Sequence, residues 1–105
     1  MGLISMLRID IDAGVEVYQM TKNAVLIDVR TKEEYDQGHI PNSINLPLSN
    51  LDQILKEVPD KNTPLFVYCQ SGSRSARAVK SMKKAGYSDV TNIGGILYYH
   101  GPIEK

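Results

Sequence analysis

The stretch Leu65-Phe66-Val67-Tyr68-Cys69-Gln70-Ser71-Gly72-Ser73-Arg74-Ser75 decides the fold and locates the chemistry. Its first four residues are an uninterrupted apolar run, the pattern of a parallel strand covered on both faces. Small polar residues follow, Gly72 permits a sharp turn, and helical spacing begins at once behind it. Such a strand–loop–helix unit builds an anion site. Successive backbone N–H groups converge into a concavity, and the helix N-terminus adds partial positive charge. Cys69, the only cysteine of the 105 residues, stands at the strand tip, where open α/β sheets bind ligands. A lone cysteine on an apolar strand is usually a small buried hydrophobe. Here the position, the turn at Gly72 and the small side chains of Ser71 and Ser73 turn the reading toward a nucleophile. Its pKa should lie below the roughly 8.5 of a free thiol.

Outward from this unit, strands and helices alternate. Leu7 to Asp12 alternates apolar and polar residues, as an edge strand with one solvated face does. Residues 13–21 read as a helix capped by Asp10 or Asp12, with Gly14 weakening it. Ala24 to Ile27 is a second buried strand. Thr31-Lys32-Glu33-Glu34 is a capping box opening a short helix that Gly38 ends. Residues 43–46 form a short strand between Pro41 and Pro47. Ser49 is the expected cap of a helix to about residue 57, with Leu51, Ile54, Leu55 and Val58 inward. The helix behind the Cys69 loop spans about 73–85, with Ala76, Val79 and Met82 at core spacing, and Gly86 closes it. Residues 90–93 are a last strand, after which Gly94-Gly95 turns into a short C-terminal helix reaching Tyr98 and Tyr99. The alternation predicts βαβ units and a mostly parallel sheet in a three-layer α/β domain spanning 1–105.

Length and composition suit one soluble globular domain, with 42% hydrophobic and 23% charged residues. No apolar stretch approaches the roughly 20 residues that span a bilayer. Met1 to Arg8 lacks a basic region ahead of its apolar patch and makes a poor signal peptide. Gly2 does not complete a myristoylation motif, since Met stands at position 6. One cysteine excludes an intrachain disulfide and a Cys-rich metal site, and a free thiol suits a reducing, cytoplasmic setting. Net charge is zero but unevenly placed. Residues 1–69 hold ten acids and six bases, whereas residues 70–88 hold Arg74, Arg77, Lys80, Lys83 and Lys84 and no acid. Most of these form a solvated helix face, yet the block adjoins the Cys69 loop and should draw small anions toward it. With Tyr87 the lone aromatic of that segment, nucleic acid is not an expected partner.

At this point the chain resembles a known family, the rhodanese-like domains, over nearly its whole length. The resemblance rests on Leu26-Ile27-Asp28-Val29-Arg30, on Glu33-Glu34-Tyr35, and on Gly38-His39-Ile40-Pro41 with Asn42-Ser43-Ile44-Asn45. It continues through Val67-Tyr68-Cys69, Gly72-Ser73-Arg74-Ser75 and Gly94-Gly95-Ile96 in order. The small single-domain thiosulfate sulfurtransferases are the most similar form. The resemblance implies a five-stranded mostly parallel sheet flanked by helices. It implies a persulfide on Cys69 that moves sulfane sulfur from thiosulfate, or from a protein persulfide, to cyanide or an external thiol. The loop residues Gln70, Ser71, Gly72, Ser73 and Arg74 would hold the sulfur's charge, and no metal or organic cofactor is needed. Four residues separate Cys69 from Arg74, whereas related phosphatases and arsenate reductases have five and commonly a His where Tyr68 stands. One more residue adds up to about 3.8 Å of contour, enough to turn a cradle for one sulfur into one for a tetrahedral oxyanion. A phosphatase is therefore the weaker reading, and a non-catalytic binding or sensor module is the other alternative. Tyr98 and Tyr99 stand where the family often has Trp.

The other candidates have structural readings beside the chemical ones. Asp28 and Arg30 read as a supporting ion pair at the end of a buried strand. Glu34 reads as a capping residue, His39 as the holder of a turn rather than a base, and His100 as a solvated side chain. Arg74 reads two ways: it guides anions to the loop, or it pairs with an acid and braces it.

Overall fold

The computed structural model describes residues 10–105. The chain runs through α1 (Ile11–Met20), β1 (Val25–Asp28), α2 (Lys32–Gln37) and β2 (Ile44–Asn45). A 3-10 segment (Leu48–Gln53), α3 (Ile54–Glu57), β3 (Leu65–Cys69), α4 (Ser73–Lys84), β4 (Val90–Gly95) and a last 3-10 turn (Ile96–Tyr98) complete it. All pairings within the four-stranded sheet are parallel, in the order β2-β1-β3-β4. After β1 the chain lays β2 on one side and β3 on the other. The order therefore reverses between β1 and β3, and their carboxyl ends flank the crevice in which α/β sheets bind ligands.

The apolar runs are continuous because both sheet faces are covered. Ile27, Leu65, Val67 and Cys69 pack with Ala78 and Met82 of α4 and with Ile54 of α3. Leu26, Phe66 and Tyr68 point the other way, onto Ile11 and Val15 of α1 and onto Ile40 and Ile93. The period of two along a strand makes Tyr68 and Cys69 opposite-facing neighbours. Tyr68 is fixed within its layer. Its hydroxyl accepts the Ile40 N–H at 3.1 Å and lies 3.0 Å from Ser43 Oγ, which donates to the Ile40 carbonyl at 2.7 Å. Burial pushes the Tyr68 phenol up, and the Asp28 charge adds to that shift.

Several sequence expectations are corrected here. Ile11 and Asp12 belong to α1, because the Asp10 carboxylate accepts from Ala13 N at 2.9 Å and starts the helix; residues 7–9 of the expected strand lie outside the described residues. The described residues hold four strands rather than five. The expected helix over 49–57 is a 3-10 segment, non-helical at Asn50, joined to one turn of α-helix, and Pro47 rather than Ser49 precedes it. That break rotates the face: Ile54 and Val58 are buried, but Leu55 is half exposed. In α4 the buried face is Ser75, Ala78 and Met82, and Ala76 is exposed. Gly94 and Gly95 extend β4 rather than ending it, through an irregularity that skips Ile93 and pairs Tyr68 with Gly94 and Cys69 with Gly95.

Candidate active site

The end of β3 delivers Cys69 beneath its loop. Gly72 is the N-cap of α4 with φ 109°, a left-handed conformation that favours glycine. No side chain caps this helix, so its first N–H groups are left to bind something else. Gly72 N lies 3.0 Å from Cys69 Sγ, and Ser75 Oγ lies 3.4 Å away. Burial pushes the Cys69 thiol up. The Ser75 hydroxyl, with the backbone N–H groups of Ser75, Gly72 and Ser71, more than offsets this, and the net direction is down. Cys69 has 0% relative exposure. A groove of about 710 Å³ runs beside the loop, touching Ser71, Gly72, Ala76, Gly94, Gly95 and Tyr98.

The other sequence candidates surround the sulfur without touching it. Arg74 reaches across to α2, where its two terminal nitrogens donate to the two oxygens of Glu34 at 2.7 and 3.0 Å. The same Glu34 completes the capping box with Thr31. The Arg74 guanidinium holds the Glu34 carboxyl at about 2, aided by the Thr31 bonds against a smaller opposing effect of burial. Of the two readings of Arg74, this geometry is the brace. Asp28 and Arg30 form a buried pair, with Nη2–Oδ2 at 2.7 Å and Nε bridging both carboxylate oxygens at 3.0 and 3.1 Å. Arg30 also donates to the Gly38 carbonyl at 2.7 Å and reaches Gln70 Oε1 at 3.5 Å, tying β1 to the loop. Gln70 therefore turns its side chain to Arg30, and Ser73 opens α4 with an exposed side chain.

His39 stacks on Tyr35 with ring centroids 3.8 Å apart, and its Nδ1 lies 2.9 Å from the Tyr35 carbonyl. Its backbone pairs with Glu104 in an isolated antiparallel bridge, which ties the segment after α2 to the C-terminal residues. His100 is exposed but not merely solvated, since its Nδ1 lies 2.6 Å from Asp12 Oδ2.

Three residues of the site were given no role from the sequence. Ser75 sat inside a quoted motif, Asn92 inside the last strand, and Gly95 in what read as a turn. The Ser75 hydroxyl contacts the Gly72 carbonyl and Asn92 Oδ1 as well as the sulfur. Gly95 admits no side chain, because a Cβ there would lie 2.6 Å from Ser71 Cα and nearer still to the Gln70 carbonyl. A polar residue in a strand just before Gly-Gly was the available signal: glycine in a strand often marks a bulge or a close backbone approach.

The chain belongs to the rhodanese-like domain family, whose model matches residues 15–100. It is 42% identical over 71 residues to the thiosulfate sulfurtransferase PspE of Escherichia coli strain K12, an alignment covering 67% of this chain and 68% of that protein. It is 37% identical over 102 residues to the adenylyltransferase and sulfurtransferase uba4 of Ogataea parapolymorpha, covering 95% of this chain but only 26% of that longer protein. Among solved structures, an E. coli rhodanese with anions superposes with a TM-score of 0.73 at 38% identity, covering 78% of this chain and 98% of the other.

Proposed function

We propose that this protein is a sulfurtransferase that takes the sulfane sulfur of thiosulfate, or of a persulfide donor, onto Cys69 and passes it to cyanide or a thiol. The observation that carries this reading is the set of donors around Sγ: the Gly72 N–H at 3.0 Å and the Ser75 hydroxyl at 3.4 Å, at an N-terminus of α4 with no other cap. These groups favour a thiolate, and they remain in place for the outer sulfur of a persulfide, which also carries negative charge. The likeness to a thiosulfate sulfurtransferase supports the choice of donor.

The thiolate attacks the outer sulfur of thiosulfate. A new S–S bond forms, the old one breaks, and sulfite departs with the electron pair. Cyanide or a thiolate then attacks the outer sulfur of the Cys69 persulfide, and the returning pair regenerates the thiolate. Two half-reactions on one residue give ping-pong kinetics. With one cysteine in this chain, an acceptor on another molecule discharges the persulfide. Neither step calls for a metal or an organic cofactor. Ser71 and Gly72 line the approach, the Asp28–Arg30 pair with Gln70 steadies one end of the loop, and Arg74 with Glu34 steadies the other. Cys69 itself is covered, and the groove beside it is lined by Ser71 and Gly72. A reducing compartment such as the cytoplasm suits the free thiol, and among the described residues no helix is long and apolar enough to cross a membrane.

The test is a cyanide-dependent thiocyanate assay with thiosulfate. Parallel lines in double-reciprocal plots are expected when both substrates are varied. Absence of thiocyanate from folded protein would overturn the reading.

A further inference from the structure

We propose that Asn92, on β4, is a positioning residue for the sulfur chemistry, seating the Ser75 hydroxyl so that its single hydrogen passes to Cys69 Sγ when the thiol ionises. The proposal rests on Cys69 being the nucleophile, as argued above. Its basis is a count of donors and acceptors. Ser75 Oγ has one hydrogen and three neighbours that can accept it: Asn92 Oδ1 at 2.7 Å, the Gly72 carbonyl at 3.0 Å and Sγ at 3.4 Å. The Asn92 amide is locked in one orientation. Its Oδ1 accepts the Gly94 N–H at 3.0 Å, and its Nδ2 donates to the Gly72 carbonyl at 3.3 Å. Oδ1 therefore faces Ser75 as an acceptor only, and the strand irregularity that skips Ile93 leads directly to the Gly94 N–H that fixes it.

With a neutral thiol, Ser75 donates to Asn92 and Sγ–H can donate to Ser75. On ionisation the hydroxyl turns to the sulfur. Neither acceptor it leaves is orphaned. Asn92 Oδ1 keeps the Gly94 N–H, and the Gly72 carbonyl keeps both Asn92 Nδ2 and the Ala76 N–H at 3.1 Å. Buried polar groups left unpaired cost about 1–3 kcal/mol each, so this arrangement spares that cost in both charge states. Ser75 is fully buried, and water does not take over the role. Of the charged groups around the loop, Arg74 on α4 senses the Cys69 charge; its partner Glu34 lies on α2, the Asp28–Arg30 pair closes β1, and Asp10, the N-cap of α1, lines the groove together with Ser71, Gly72 and Asn92. β4 carries no titratable side chain. Substituting Asn92 leaves all of these in place.

The experiment measures the pH midpoint of Cys69 alkylation by iodoacetamide in wild type, Asn92→Ala, Ser75→Ala, the double variant and the near-isosteric Asn92→Asp, with thermal unfolding of each. Ser75→Ala should raise the midpoint by about one unit, cutting the alkylation rate up to tenfold at a fixed pH below both midpoints. Asn92→Ala should raise it similarly, because the Gly72 carbonyl, relieved of its Nδ2 donor, then draws the Ser75 hydroxyl to itself and away from the sulfur. The double variant should go no further than Ser75→Ala alone, since the asparagine acts through the serine. Asn92→Asp should raise the midpoint more, because a carboxylate replaces the Nδ2 donor beside the loop. Thiosulfate turnover lost at neutral pH should return in Asn92→Ala as the pH rises. A purely structural role would lower thermal stability and leave the midpoint unmoved, and that result, or shifts that add in the double variant, would overturn the proposal. Asn92→Asp decides the matter if Asn92→Ala does not fold, because a midpoint equal to or below wild type contradicts the assignment. Alkylation does not depend on sulfur transfer, so wild type that alkylates as expected but forms no thiocyanate would overturn the sulfurtransferase reading and not this one.

Discussion

Two neighbouring strands end side by side at the same edge of the sheet, each with a buried ionisable group, and the two groups meet opposite surroundings. At the end of β1, Asp28 is saturated: Arg30, two residues on, grips both its oxygens. At the end of β3, Cys69 meets N–H and O–H groups but no cation in contact. A carboxylate with its counter-ion held against it is a finished structural joint. A thiol among donors, with no charge against it, is favoured as an anion, which is what the proposed sulfur transfer would need of it. Adjacent positions on one scaffold become support or chemistry according to whether the partner charge is supplied.

The sharpest way to break that contrast is to remove the thiol. Cys69→Ser should reduce sulfur transfer to background in the thiocyanate assay. The protein should stay folded by circular dichroism, since the change leaves no large cavity. Removing the counter-ion at the other strand should do the reverse. Asp28→Ala strands a buried guanidinium and should cost about 3–5 kcal/mol in denaturant unfolding. Replacing both partners, as in Asp28→Leu with Arg30→Met, should recover much of that loss, because the cost lies in the unpaired charge.

Gly95→Ala sharpens the comparison from the far side of the loop. Its Cβ would press on Ser71 and Gln70 backbone. Overpacking of this kind costs about 1–3 kcal/mol, and transfer should fall by more than that stability loss explains. The smallest effect belongs to the Arg74–Glu34 brace. Arg74→Ala should cost about 1 kcal/mol, because the pair is about one-third exposed and solvent screens it. Glu34 is depressed from its ordinary 4.5 to about 2, so its contribution is fully present above 4.5. It drains as the pH falls from 4.5 through about 2. Between those values wild type should lose more stability than Arg74→Ala does.

The strand–loop–helix unit around Cys69 was legible because every local signal there agrees: a doubly buried run, a turn glycine, then helical spacing. The Thr31–Glu34 capping box and the Gly38 stop were legible for the same reason. Legibility failed where two signals competed. Residues 7–12 alternate like a strand, but the Asp10 cap governs Ile11 and Asp12. Over 48–58 the apolar spacing is helical, yet the chain kinks at Asn50 and turns Leu55 outward. The loop's supports were the hardest to see. The partnership of Arg74 with Glu34 spans 40 residues and that of Ser75 with Asn92 spans 17. No periodicity or cap relates residues so far apart; only the folded sheet brings them together.

The central claim is that Cys69 carries the sulfur in transit, and intact mass tests it most directly. Folded protein treated with thiosulfate and freed of excess reagent should gain the mass of one sulfur atom, localised to the peptide bearing Cys69. Cyanide should return it to the starting mass with release of thiocyanate. Folded protein that gains no sulfur, or gains one that Cys69→Ser retains, would contradict the account.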